Sequence, residues 1–172
     1  MKLHNVKIEN FRLLQDVEIG FEDRTTLIVG RNNSGKTSIA ELFRRLLSEK
    51  TLTFRLEDFS LGCHEKFWNA FEAFSAGAEV SDVLDTLPVI RIIIDVSYDV
   101  DMPDLGALGD CIIDLNPDCT YGRLVLTFGP RPDATTFLFA DLPAPEEDAE
   151  NARSALFRAL GARVSATYIS IL

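Results

Sequence analysis

Eight consecutive residues, Gly30-Arg31-Asn32-Asn33-Ser34-Gly35-Lys36-Thr37, satisfy the pattern G-x-x-x-x-G-K-[ST] at every fixed position. No other stretch of the chain restricts the fold as much, because the pattern works only between a strand and a helix. Apolar Leu27, Ile28 and Val29 precede it, and Ile39, Leu42, Phe43, Leu46 and Leu47 follow at helical spacing. A strand over 25–29, a phosphate-binding loop and a helix from near Lys36 to about Ser48 are therefore expected.

The chemistry of such a loop follows from its residue types. Gly30 lets the chain leave the strand in a tight turn, and Gly35 lets backbone approach an anion with no side chain between. Asn33 suits a position with positive φ, which Asn tolerates better than most residues. Backbone N–H groups of Asn33, Ser34, Gly35, Lys36 and Thr37 would converge on phosphates at the positive end of the helix. Lys36 brings a mobile positive charge to the β- and γ-phosphates, and the Thr37 hydroxyl is placed to ligate Mg²⁺. The plain alternative is a glycine-containing turn with a solvated lysine.

With 172 residues, 47% hydrophobic and 26% charged, the chain is long enough for one domain with a sizeable core. No apolar run reaches membrane-spanning length and the N-terminal residues lack a signal-peptide core, so a cytoplasmic location without membrane contact is expected. Cys63, Cys111 and Cys119 form no CxxC pair, which points to reduced thiols and, despite the neighbouring His64, away from a zinc site. Charge is uneven: residues 1–56 carry a net of +3 and residues 57–172 a net of −13. The second part is thus a poor electrostatic surface for nucleic acid.

Alternation predicts strands around Val6 and Ile8 and around Val17, Ile19 and Phe21, with Asn10-Phe11-Arg12 in the turn between. Residues 51–62 read as irregular. A helix is expected over 64–78, with Phe67, Phe71, Phe74 and Ala78 as a core stripe, and a short one capped by Ser81 up to Leu87. Alternating Ile90, Ile92, Ile94, Val96 and Tyr98 give a strand, followed by short strands over 111–115, 122–128 and 135–140, most simply an antiparallel subsheet. Residues 141–148 read as a loop, 149–160 as a helix with Ala152, Ala155, Leu156 and Leu160 on one face, and 164–172 as a last strand. Three segments result within one lobe: 1–50 with the hairpin and P-loop unit, 51–87 helical, and 88–172 mostly strands.

Residues 6–12, Val-Lys-Ile-Glu-Asn-Phe-Arg, resemble the first strand and the Asn-Phe-Arg/Lys corner of the N-terminal ATPase lobe of RecF/SMC-like ABC-type ATPases. The loop from Gly30 to Thr37 is most similar to the P-loop of OLD-family (overcoming lysogenisation defect) ATPases. The resemblance is concentrated in the first fifty or so residues. It implies an α/β P-loop NTPase lobe in which a mixed central sheet is joined by an antiparallel subsheet. It implies ATP and Mg²⁺ as ligands, with phosphate contacts from the loop beginning at Gly30 and Arg31 and made by Asn32, Asn33, Ser34, Gly35 and Lys36. It further implies Mg²⁺ at Thr37, an α-phosphate contact at Ser38, and Arg12 near the nucleotide.

Departures from that pattern limit the expected activity. Ile92-Ile93-Ile94-Asp95 looks like the family's acidic strand, but Val96 stands where a catalytic Glu belongs. No Ser-Gly-Gly signature occurs, and Gln15, upstream of the loop, is the sole glutamine. Asp99-Val100-Asp101 has the shape of a Toprim metal motif without the fold around it. No catalytic residue is assigned. The expectation is the ATP-binding first half of a larger ATPase, slow or inactive alone, completed by a second lobe, a homodimer or a partner chain, and working in DNA repair or phage defence. DNA contact is expected only through the full protein or complex. The alternatives are a non-catalytic interaction module and a small self-contained NTPase or kinase using Asp95 for Mg²⁺.

Overall fold

The computed structural model describes residues 2–48, 52–98, 120–143 and 149–171. Alternation builds its first hairpin. In β1 (Lys2–Phe11) Val6 and Ile8 are fully buried while Lys7 and Glu9 keep partial contact with solvent. β2 (Leu14–Gly20) pairs antiparallel with it, setting Val17 against Ile8 and Ile19 against Val6. β3 (Ile90–Ser97) lies on the other side of β1, β4 (Tyr121–Pro130) on β3 and β5 (Tyr168–Ile171) on β4. The order is β2-β1-β3-β4-β5, and every described pairing is antiparallel.

The two faces of this sheet differ sharply. Val6, Ile8, Ile90, Ile92, Leu126 and Phe128 line a buried face. The opposite face carries charge: Lys7 bridges Glu9 and Asp16, Arg91 meets Glu9, and Arg123 meets Asp95. Helices α1 (Lys36–Ser48), α2 (Gly62–Ser75), α3 (Val80–Thr86), α4 (Ala134–Leu138) and α5 (Ala149–Thr167) complete the described elements, with a 3₁₀ turn at Leu56–Asp58. In α5 the buried Ala152, Leu156, Leu160 and Val164 recur every fourth residue, so one stripe faces inward along the whole helix.

Between sheet and helices runs the segment from Leu52 to Ser60, which belongs to no described strand although buried Leu52, Phe54 and Leu56 alternate with exposed Thr53, Arg55 and Glu57; Phe59 is buried as well. Phe54 packs edge-on against Phe11 and Phe128, at 5.5 and 5.3 Å between ring centroids. Phe59 does the same with Phe67 and Tyr168, at 5.3 and 5.7 Å. The segment's backbone is satisfied by the strand corner it passes: Arg12 N–H donates to Asp58 O (2.8 Å), and Ser60 N–H to Asn10 O (3.0 Å). The aromatic stripe of α2 is core as expected, with Phe67 and Phe71 buried. The helix stops at Ser75 with Gly77 at φ +80°, so Ala78 falls outside it.

Several expectations need correction. Residues 25–29 are not a strand; Leu27 and Val29 are 81% and 77% exposed, because no described strand runs beside them. The sheet is accordingly antiparallel rather than mixed among the described residues. Residues 135–140 are not a strand either. Their β-branched and aromatic content misleads, whereas Ala134, Thr135 and Leu138 are buried at helical spacing in α4. Residues 164–167 extend α5, which leaves a shorter final strand, and Ser81 lies inside α3, whose N-cap is Glu79. The turn after β1 is tighter than expected, since Asn10 and Phe11 still belong to the strand. Strand 111–115, Cys111, Cys119 and Asp99-Val100-Asp101 lie outside the described residues.

Candidate nucleotide-binding site

Helix α1 begins at Lys36, and two residues just before it take left-handed backbone conformations: Asn33 at φ 63° and Gly35 at φ 89°. That pair of reversals turns the loop across the end of the helix. Ile39 donates the first helical bond, to Gly35 O at 2.9 Å. The amides of Lys36, Thr37 and Ser38 thus stand at the helix end with no intrahelical acceptor. No acidic residue sits in the first turn to compete with an incoming anion.

The loop's two glycines serve close approaches. A Cβ on Gly35 would lie 2.7 Å from Leu14 Cδ2 and 3.7 Å from Leu13 Cβ, so the loop rests directly on the β1–β2 corner. A Cβ on Gly30 would meet Ser34 Oγ at 2.6 Å. The Lys36 ammonium folds back over the same loop, donating to Gly30 O (2.7 Å), Arg31 O (2.6 Å) and Ser34 Oγ (3.4 Å). These partners are neutral and accessible, so a phosphate oxygen can take their place at little cost.

A cavity of about 290 Å³ opens here, lined by Leu13, Asn32, Asn33, Ser34, Gly35, Lys36, Thr37 and Ser38. Seven of the residues singled out in the sequence therefore share one space, with Gly30 and Arg31 behind it as Lys36 acceptors. Thr37 is exposed and Ser38 is buried. No carboxylate lines the cavity, and no group of three or more His, Cys, Asp or Glu able to hold a metal occurs among the described residues. This donor set fits Mg²⁺, which typically binds through one or two protein oxygens together with substrate phosphates and water. Thr37 Oγ1 would hold it.

Arg12 lies apart from the loop. Its guanidinium donates to Asp58 Oδ1 through Nε (2.9 Å) and Nη2 (2.8 Å). Asp58, only 3% exposed in its side chain, also accepts from Arg45 Nη1 at 2.7 Å and from the Arg55 N–H at 3.1 Å. Burial alone would raise the Asp58 carboxyl, but Arg45, the Arg55 amide and Arg12 outweigh it and hold the group below its ordinary value. Glu41 accepts from Arg44 and then Arg45, which bring its carboxyl down to about 2. These contacts border a larger cleft, about 480 Å³, containing Arg12, Arg44, Arg45 and Arg55. Size does not make it the better anion site, because Asp58 and Glu57 line it too and Glu41 pairs with Arg44 and Arg45, three carboxylates set against its four arginines. The smaller cavity has the free backbone donors.

Asp95 is distant in function from this loop: it pairs with Arg123 (2.6 and 3.0 Å) on the charged sheet face, beside His4 and Tyr121. Cys63 is buried in α2 with Ser60 Oγ 3.4 Å away. Sequence reasoning missed Leu13 and Leu14 as the floor of the loop and Asp58 as the anchor of Arg12. Two apolar residues in a tight turn were the available signal for the floor. Nothing local marks Asp58.

Among families of known proteins, the one described as AAA ATPase domain matches residues 1–157. The chain is 31% identical over 96 residues to the DNA replication and repair protein RecF of Actinobacillus pleuropneumoniae, an alignment covering 51% of the chain and 26% of that protein. With RecF of Haemophilus ducreyi it shares 28% identity over 143 residues, 75% of the chain and 39% of the relative. With the DNA double-strand break repair Rad50 ATPase of Methanosarcina mazei it shares 44% over 62 residues, 36% of the chain and 6% of the relative. The chain thus spans well under half the length of each of these relatives.

Proposed function

This chain belongs to the AAA ATPase domain family and is related to RecF- and Rad50-type ATPases, and from that premise we propose that it binds ATP·Mg²⁺ at the loop ahead of α1. The observation carrying this is the cavity in which the free amides of α1, the Lys36 ammonium and the Thr37 hydroxyl meet. The amides of Lys36, Thr37 and Ser38 receive the phosphates, with Asn32, Asn33, Ser34 and Gly35 shaping the cradle. Lys36 exchanges the carbonyls of Gly30 and Arg31 for β- and γ-phosphate oxygens. Mg²⁺, held at Thr37, supplies charge neutralisation of the phosphates.

Hydrolysis needs a positioned water as well as bound phosphates. No described carboxylate lines the cavity, and Val96 follows Asp95 where a catalytic Glu is expected. We therefore assign the water-activating group to a second lobe or to a partner chain, including a second copy. Leu27, Ile28 and Val29, exposed ahead of the loop, support a neighbour on that side. The relatives' names support work in DNA repair, with phage defence as the variant for an OLD-type chain and DNA contact made by the assembly. Asp95, held by Arg123 away from the loop, gives no support to a self-contained kinase.

Calorimetric titration of ATP with Mg²⁺ into wild type and Lys36→Ala tests the site. The variant is expected to bind about 1.5–3 kcal/mol more weakly, the scale of a charge-assisted contact. Equal affinities would remove the site. Robust single-turnover hydrolysis by the chain alone would overturn the assignment of the water-activating group to another lobe or chain.

A further inference from the structure

The corner between β1 and β2 holds two left-handed residues that are not glycine, Asn10 at φ 63° and Arg12 at φ 50°. Asn tolerates that region; an arginine adopts it rarely, and keeps it only where its surroundings impose it. Asp58 imposes it twice. Its carbonyl accepts the Arg12 N–H at 2.8 Å, and its carboxylate accepts the guanidinium through Nε and Nη2. Asn10 is fixed alongside: its carbonyl accepts the Ser60 N–H, and its side-chain amide donates to Val89 O at 2.8 Å. The two residues after Arg12 then carry the phosphate loop. Leu13 lines the cavity, and Leu14 is the side chain that a Cβ on Gly35 would meet at 2.7 Å. Residues 30–34 are exposed and Gly35 is the first buried residue of the loop, so the loop meets the rest of the fold at that contact.

We propose that Asp58 is a positioning residue for the phosphate site: by clamping Arg12 in its left-handed turn it sets Leu13 and Leu14 beneath Gly35, and with them the alignment of the loop amides. This rests on the loop holding the triphosphate and deepens that reading with a residue that touches no ligand. Asp58 lines the neighbouring cleft and not the phosphate cavity, so it acts only through the turn and through Arg45 in the last turn of α1. Arg12 is its handle on the turn. A loop whose own lysine bonds are displaceable needs such a support from outside, because misplaced amides weaken every phosphate contact at once.

Calorimetry with ATP·Mg²⁺ and with inorganic tripolyphosphate·Mg²⁺ tests this on wild type, Asp58→Asn, Arg12→Met, Arg12→Lys and the Asp58→Asn/Arg12→Met pair, at a temperature where circular dichroism shows each folded. Asp58→Asn and Arg12→Met are each expected to lose about fivefold in affinity for both ligands. The double variant is expected to lose no more than about fivefold, because the same clamp is broken once. Arg12→Lys keeps one charged donor and is expected to lose only about twofold. In the nucleotide-free protein, the NMR amide resonances of Leu14, Gly35 and Lys36 are expected to shift in Asp58→Asn, which lost stability alone does not produce. Unchanged affinity in Asp58→Asn, unshifted loop resonances, or a double variant about 25-fold weaker overturns the proposal. A loss confined to ATP also overturns it, since Arg12 would then contact the nucleoside. Should Asp58→Asn not fold, Arg12→Met and Arg12→Lys decide by the same measures, and unchanged affinity in both overturns the clamp. A wild type that binds neither ligand overturns the phosphate loop itself, an outcome distinct from all of these.

Discussion

Helix α1 carries a cation near each end, and the two are held in opposite ways. At its start, Lys36 bonds the carbonyls of its own loop, neutral partners open to solvent. In its last turn, Arg45 is 13% exposed in its side chain and bonds two carboxylates, Glu41 and the buried Asp58. Arg45 also lies over the rings of Phe11 and Phe54, at 5.9 and 5.6 Å. One end therefore has interactions that a ligand can displace, and the other has interactions that hold helix, strand corner and aromatic segment together. The fixed far end holds the ground on which the open end rests: the β1–β2 corner under Gly35 is the same corner that Asp58 grips through Arg12.

The largest effect should come from breaking the buried end. Asp58→Ala leaves Arg45 and Arg12 short of their carboxylate and is expected to cost about 3–5 kcal/mol in urea unfolding, the range for removing one partner of a buried pair. A loss below about 1 kcal/mol would mean that the two ends do not differ as described. Next comes Gly35→Ala, which places a Cβ against Leu14 in a backbone conformation that Ala resists. A loss of about 1–3 kcal/mol in stability is expected, with weakened ATP binding in the same calorimetric experiment. Lys36→Ala should instead leave urea stability within about 0.5 kcal/mol, because it removes only exposed contacts, even as it weakens ATP binding. If it destabilises as Asp58→Ala does, the ammonium is a structural strut rather than a ligand group.

The open end was the legible one. Gly35 and Asn33 announce positive φ by residue type, and the loop adopts it at both. β1, β2 and β3 were readable from alternation, β4 as a short apolar run between turn residues, and the first part of α5 from its stripe of small and apolar residues. The fixed end was not, since the Arg45–Asp58 contact joins residues thirteen apart and no local pattern pairs them. Phe54 enters the core from a stretch whose alternation of Leu52, Phe54 and Leu56 with Thr53, Arg55 and Glu57 was a legible burial signal, whereas Phe59 follows after that alternation breaks at Asp58. Residues 25–29 failed in another way. An apolar triplet signals a need for burial but says nothing about whether a neighbouring strand is present to provide it.

Acid should weaken the fixed end selectively. The Asp58 carboxyl is held below its ordinary 3.8 in the folded chain, so its contribution is complete above that pH and fades as pH falls through the lower folded value. Wild type and Asp58→Asn should therefore differ by a constant amount in urea stability from neutral pH down to about 5, then converge below 3.8. A gap that narrows near neutrality would point to a different titrating group.

The smallest effect tests whether burial, rather than arginine–carboxylate geometry, makes the fixed end strong. Arg123 grips Asp95 with two bonds, at 2.6 and 3.0 Å, as closely as Arg45 grips Asp58. Arg123 holds the Asp95 carboxyl below its ordinary value, yet its own side chain is 66% exposed. Water already serves both groups there, so their pairing adds little. Asp95→Asn is expected to change urea stability by no more than about 0.2–1 kcal/mol, and ATP affinity not at all. A loss as large as that of Asp58→Ala would show that the bidentate geometry suffices without burial. A loss of ATP affinity would bring Asp95 back as the Mg²⁺ carboxylate of a self-contained enzyme.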